Sequence, residues 1–280
     1  MPIELDAYFD RIGYRGARSA SLDTLRELHA LHPAAMPFEN LSPLLGLPVP
    51  LDAASVEAKM VRGGRGGYCF EHNLLFQLAL DALGFRTRAL GARVLWGPPA
   101  EVLPPRCHML LLVDVQDEPW LVDVGFGGVT LPEPLRLLTN VAQRTTHEAF
   151  RIEALDRHEY VLHVCLNGAW KPVYRFDLVE QLSADYKVAN YFVSTHPDSV
   201  FVNHLLAARI DGDRRYTLFD NELNVHGPTP SKRLLTPPGE LRDVLAHIFR
   251  IRLPDETGQV SSEHLDATLA RCLRAGIGGV

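Results

Sequence analysis

Four glycines in the run Arg62-Gly63-Gly64-Arg65-Gly66-Gly67-Tyr68-Cys69 constrain this chain most, because they set a sharp backbone turn directly before an apolar helical pattern. Glycine reaches backbone angles closed to other residues and lets neighbouring groups approach the main chain closely. Leu74, Leu75, Leu78, Ala79, Ala82 and Leu83 then recur at helical spacing, and Gly84 supplies a stop. Cys69 therefore sits at a helix N-terminus, where unpaired N–H groups and the macrodipole favour an anion. A thiol held there beside a cation is activated as a nucleophile. A buried, inert cysteine is the competing reading; a helix start between a polar loop and an apolar run is an exposed rim, which favours catalysis.

A nucleophilic cysteine needs a base, and the base needs an orienting acceptor. His108 opens a long apolar strand, Cys107 to Val113, after the proline-rich stretch Pro104-Pro105. Asp123 interrupts a second apolar strand, Trp120 to Val124, which runs into Gly125-Phe126-Gly127-Gly128. The short turn Gln116-Asp117-Glu118-Pro119 predicts antiparallel pairing, which brings His108 and Asp123 to the same end of a hairpin. A carboxylate inside an apolar strand is costly without a partner, and an imidazolium is a suitable one. The roles are then Cys69 as nucleophile, His108 as base or thiolate partner, and Asp123 holding the imidazole. Taken singly, His108 as a loop cap and Asp123 as a turn acceptor stand as alternatives.

The rest of the chain predicts an α+β fold in three segments. In residues 1–84, Leu22, Leu25, Leu28 and Leu31 oppose Asp23 and Glu27, the pattern of a helical region that ends with the cysteine helix. Residues 85–191 switch to strand signals: alternation from Arg86 to Trp96, the two strands above, and a hairpin on Asn167-Gly168, together reading as a β-barrel. Residues 192–280 follow a helical passage near Ser183 to Asn190. They combine a strand at Arg215 to Phe219, a proline-glycine loop from Gly227 to Gly239, and helical stretches at 240–249 and 261–275. Neither repeats nor low-complexity segments are present.

With these segments in view, the chain resembles the arylamine N-acetyltransferases, which carry an RGGYCFE-type segment and a VDVGFG-type segment flanking a histidine. Here these read Arg65-Gly66-Gly67-Tyr68-Cys69-Phe70-Glu71 and Val122-Asp123-Val124-Gly125-Phe126-Gly127, with further likeness at Pro37 to Leu41 and Ser194 to Pro197. The resemblance implies an N-terminal helical bundle, a central β-barrel and a C-terminal α/β lid around a cysteine-protease-like catalytic core. It implies a Cys69, His108, Asp123 triad and ping-pong acetyl transfer from acetyl-CoA to an aromatic amine or hydrazine through an acetyl-cysteine. Acetyl-CoA is then a co-substrate and no cofactor is tightly bound. The resemblance also implies an acyl-donor cleft shaped by the loop containing Phe126, Gly127 and Gly128, and an aromatic acceptor pocket lined by Phe38, Phe126 and Phe201. For Phe38 and Phe201, core packing is a rival reading. Family members often carry a small hydroxyl residue where Cys107 stands.

Composition is consistent with a cytoplasmic enzyme. The 280 residues are 46% hydrophobic with a formal net charge of −6, no basic cluster suits nucleic acid, and no apolar run is long enough to cross a membrane. Met1 to Gly16 lacks the apolar core of a signal peptide. Cysteines at 69, 107, 165 and 272 do not form a disulfide framework, which suits a reducing compartment. Arg65 is expected to lock the glycine turn and Glu71 to complement the helix N-terminus. A thiol protease is disfavoured by the missing papain-like Cys-Gly-Ser-Cys-Trp pattern. A macrolactam-forming amide synthase, acting on a carrier-bound polyketide, is the alternative function. A structural zinc site from Cys69, His72, Cys107 and His108 lacks a recognised spacing, so no metal is expected.

Overall fold

The computed structural model describes residues 3–97 and 103–275. The outermost ends of the expected first and third segments therefore lie outside the described residues, as does the stretch 98–102. The first segment is helical, with α1 (Leu5–Ile12), α2 (Leu22–Ala35), α3 (Leu41–Leu44), α4 (Ala53–Val56) and α5 (Cys69–Ala82). Ser21 caps α2 by accepting the Thr24 N–H, and the predicted stripe buries Leu25 and Leu28. A π-helical turn, Glu57–Arg62, continues α4 into the glycine run. One strand breaks the helical segment: β1 (Phe38–Glu39).

Eight strands follow: β2 (Arg86–Val94), β3 (Arg106–Val115), β4 (Glu118–Val122), β5 (Leu135–Arg136), β6 (Ala142–Arg144), β7 (Ala149–Ala154), β8 (Glu159–Leu166) and β9 (Ala169–Glu180). They form one antiparallel sheet in the order β5-β4-β3-β2-β9-β8-β7-β6. Its two ends nearly close on each other. The Gln143 side chain on β6 accepts the Arg136 N–H of β5 at 3.0 Å and donates to the Arg136 carbonyl at 2.8 Å. The result is barrel-like. Asn167 and Gly168 have φ of 52° and 80°, the paired positive angles that suit a two-residue hairpin, as predicted. The β3–β4 turn is tighter than the predicted four residues. Gln116 and Asp117 alone make it, at φ 54° and 63°, and Glu118 already pairs with Val115. Strand β3 is buried on both faces: Met109, Leu111 and Val113 pack on the helical core, while Leu110 and Leu112 point into the barrel. That accounts for its unbroken apolar run.

After α6 (Ser183–Thr195) and α7 (Val200–Asn203) come β10 (Leu206–Asp211), β11 (Arg214–Phe219), β12 (Glu222–His226) and β13 (Ser231–Leu234), then α8 (Pro238–Asp243) and α9 (Ser262–Ala275). Strand β13 lies inside the expected loop at 227–239, and α8 passes into a π-helical turn, Val244–Ile248. These strands form a second sheet ordered β1-β10-β11-β12-β13, so the first segment donates its lone strand to the third. Phe38 is also bridged to Gly67, tying this sheet to the turn before Cys69.

Candidate active site

The glycine turn is required by what lies against it. A Cβ on residue 66 would stand 1.8 Å from the Pro37 carbonyl oxygen, so only glycine lets the turn pass under β1. Arg65 locks the turn from below. Its Nε donates to Glu39 Oε1 at 2.9 Å and its Nη2 to Glu39 Oε2 at 3.1 Å, with both side chains buried. Glu71 accepts the Tyr68 N–H at 3.1 Å and pairs with Lys59 at 2.7 Å, which stabilises the first turn of α5.

Cys69 begins α5 but is buried rather than set on the exposed rim expected from sequence, because the strand end and Phe38 pack over the helix start; its Sγ is 3.7 Å from the Cys107 carbonyl oxygen. His108 lines the same cleft as the thiol, and the Cys69 sulfur contributes to its electrostatics. His108 in turn bonds through Nε2 to Asp123 Oδ2 at 2.7 Å. The hairpin register explains this meeting. Leu111 pairs with Val122, so His108 and Asp123 lie diagonally on one face of β3 and the end of β4.

Asp123 is fully buried, and its other oxygen is satisfied as well. Oδ1 accepts from Asn73 Nδ2 and from the Gly125 N–H, each at 3.0 Å. Asn73 also donates to the Met109 carbonyl at 2.7 Å and accepts the Val124 N–H at 3.2 Å, so one amide on the cysteine helix pins both strands. Burial alone would lower the His108 pKa, but the Asp123 charge, the hydrogen bond to Asp123 and the nearby Cys69 sulfur raise it to about 10. Burial alone would raise the Asp123 carboxyl, and the His108 charge with its hydrogen bonds holds it below the usual value. At neutral pH the pair is an imidazolium and a carboxylate. Tyr174 lies against the imidazole with ring centres 5.1 Å apart, and Phe126 meets it edge-on at 5.3 Å.

His72 follows Cys69 on α5 but turns away from it. Its Nε2 bonds the Pro37 carbonyl at 3.1 Å and its Nδ1 bonds His32 Nε2 at 3.0 Å, while His32 Nδ1 meets the Tyr8 hydroxyl at 2.9 Å. A carbonyl only accepts, so the direction of the whole chain follows: Tyr8 donates to His32, His32 to His72, and His72 to Pro37. These bonds take His72 out of the zinc cluster considered from sequence. Among the described residues no group of three or more His, Cys, Asp or Glu side chains could hold a metal.

A cleft of about 830 Å³ opens beside the thiol. Cys69, His108, Phe38, Phe126, Gly128 and Phe201 all line it, and Cys107 does so too. Gly127 stands behind, packed on Phe38, with its N–H donated to Thr130 Oγ1 at 2.7 Å. Phe38 and Phe201 lie 6.1 Å apart, which gives the near end of the cleft an aromatic wall. Asn73, Tyr174 and His32 are not readable from sequence as parts of the site. Asn73 alone carried a legible signal, since four residues after Cys69 is the same helix face.

The family model described as N-acetyltransferase matches residues 21–257. The chain is 43% identical over 279 residues to the arylamine N-acetyltransferase of Mycobacterium tuberculosis, covering 97% of this chain and 98% of that one. It is 46% identical over 206 residues to the Escherichia coli arylamine N-acetyltransferase, covering 73% of this chain and 72% of that one. The Mycobacterium marinum arylamine N-acetyltransferase structure superposes with a TM-score of 0.92 at 38% identity, covering 96% of this chain and 100% of that one. The same protein in complex with CoA superposes at 0.91, with 38% identity and coverage of 96% and 99%.

Proposed function

The chain belongs to the arylamine N-acetyltransferase family and is an acetyltransferase, and from that premise we propose that it transfers acetyl from acetyl-CoA to arylamines or hydrazines through an acetyl-Cys69 intermediate. The observation that carries this reading is the buried His108–Asp123 hydrogen bond set with Cys69 in the wall of one aromatic-lined cleft. A cationic His108 favours a thiolate on Cys69. The thiolate attacks the thioester carbonyl, a sulfur–carbon bond forms to Cys69, and the bond to the coenzyme sulfur breaks. His108 gives its proton to the departing thiolate and becomes neutral. In the second half-reaction the amine nitrogen attacks acetyl-Cys69, His108 takes the proton that nitrogen sheds, and the Cys69 thiolate leaves. Asp123 holds the imidazole in orientation throughout and stabilises its charged form. The N–H groups of the first turn of α5 have no helical partners and are suited to an oxyanion.

The same reading assigns Phe38, Phe126 and Phe201 to the acceptor pocket, and Gly127 and Gly128 to the donor side. The segments 1–84, 85–191 and 192–280 become helical bundle, barrel and lid around a cysteine-protease-like core. Acetyl-CoA is a co-substrate with no tightly bound cofactor, nucleic acid and membranes have no part in the reaction, and a working thiol suits the cytoplasm. Initial-rate kinetics test the mechanism. Varying acetyl-CoA at several fixed concentrations of an anisidine should give parallel double-reciprocal lines, and Cys69→Ser should be inactive. Intersecting lines, or substantial turnover by the serine variant, would overturn the covalent route.

A further inference from the structure

The face of the second sheet that borders the cleft changes chemistry along its length. One line of register partners crosses it: Phe38 pairs with Ala208, Ala208 with Thr217, and Thr217 with Asn224. All four line the cleft. With strands about 4.8 Å apart, Thr217 lies roughly 10 Å and Asn224 roughly 14 Å from Phe38 across the sheet. The near end is aromatic, and Ala208 presents only a methyl group, which leaves room for a ring to lie over it. The far end is polar. Thr217 Oγ1 is 3.2 Å from His226 Nε2, and Asn224 lies beside them.

This far end closes on an ion pair. Arg215 of β11 donates to both oxygens of Glu148, at 3.0 and 2.7 Å, and Glu148 sits just before β7 of the barrel-like sheet. Both residues line the cleft, and among the described residues no other ion pair joins the two sheets. With the arginine charge answered by the carboxylate, the wall offers hydrogen bonds without a net charge. Burial and the nearby Arg215 charge hold the His226 pKa below its ordinary value, which keeps the ring neutral. Such a wall, half-buried at Thr217 and Asn224 and exposed at His226, offers a neutral polar group partners that an alkyl end leaves unused.

We propose that Thr217, Asn224 and His226 form a polar subsite at the far end of the acceptor channel. It selects arylamines whose para substituent reaches past Ala208 and ends in a neutral hydrogen-bonding group. The inference rests on the proposed acetyl transfer to arylamines, with the amine nitrogen at Cys69 and the ring between Phe38 and Ala208.

Two acceptors of nearly equal shape test it: 4-aminophenethyl alcohol and 4-propylaniline, each acetylated from acetyl-CoA by the full-length enzyme. The alcohol should be favoured in kcat/KM by about 3- to 10-fold, the worth of a satisfied hydrogen bond over an unsatisfied wall. Thr217→Val and Asn224→Leu should each collapse that ratio. A ratio of two substrates on one protein does not depend on the fraction folded, so loss of stability cannot imitate the result. Wild-type preference for the alkyl amine would overturn the proposal, as would a ratio untouched by either substitution. A raised KM for acetyl-CoA with an unchanged acceptor ratio would also overturn it and assign the far end to the coenzyme. Failure to acetylate either amine would overturn the proposed function itself, a separate outcome.

Discussion

Lowering the pH from 7 to 5 should destabilise this protein far more than its surface charge would suggest, because two fully buried histidines are held neutral. Burial is the leading cause for both His29 and His72, and it lowers each pKa to about 4. The unfolded chain binds protons on these side chains near pH 6.5, so between 4 and 6.5 the unfolded state holds more protons than the folded one. Stability therefore falls as the pH falls through that window. Integrated from pH 7 to 5, each histidine costs about 2 kcal/mol. His32 is also held well below its ordinary value, by burial first and then by the charges of its neighbours, and it acts in the same direction. His108 acts oppositely: with a folded pKa of about 10, its contribution is complete only below 6.5 and is lost as the pH rises toward 10. Its gain from pH 7 to 5 is less than about 1 kcal/mol. Glu71, whose carboxyl burial raises, offsets a little more. The net loss is at least about 3 kcal/mol, which in a chain of 280 residues lowers Tm by roughly 5 °C or more. Scanning calorimetry at pH 7, 6 and 5 measures it, and His72→Gln should flatten the dependence. A Tm that is level between pH 7 and 5 in the wild type would refute the assignment of these rings as neutral and buried.

Asp123→Asn removes the charge that keeps His108 protonated and leaves a buried imidazole without its partner. Activity should fall by roughly 10²- to 10⁴-fold and stability by about 3–5 kcal/mol, read by turnover of an anisidine and by urea unfolding; a folded variant at near-normal rate would sink the assignment. Gly125→Ala places a Cβ 2.8 Å from His72 Cβ and 3.0 Å from Cys69 Cα, pressing the strand end onto the cysteine helix. The expected cost is about 1–3 kcal/mol together with a lower kcat, and an unchanged Tm would show that α5 yields freely there.

Much of the site was legible because its signals are local. The glycine run announced the turn, the apolar spacing announced α5, and the short β3–β4 link put His108 and Asp123 at one end of a hairpin. The Asn167-Gly168 hairpin was readable for the same reason, since paired positive angles are a two-residue property. What escaped depends on contacts between residues far apart in the chain. Phe38 and Glu39 read as part of a helical segment, yet they complete a sheet whose other strands begin at Leu206. Residues 231–234 read as loop because proline and glycine surround them, and pairing with β12 makes them a strand. The buried line from Tyr8 through His32 to His72 joins three separate helices, so no window of sequence contains it. Asn73 looked like one polar residue on an apolar helix, and only the packed strands reveal its three hydrogen bonds.

The central claim is a covalent acetyl group on Cys69. Incubating the purified protein with acetyl-CoA and no acceptor, followed by intact-mass and peptide-mass measurement, should show a single added acetyl on the peptide carrying Cys69, and an anisidine should discharge it. An unmodified Cys69 that iodoacetamide still alkylates rapidly would contradict the account, since the thiol would be reactive and acetyl-CoA would not be its donor.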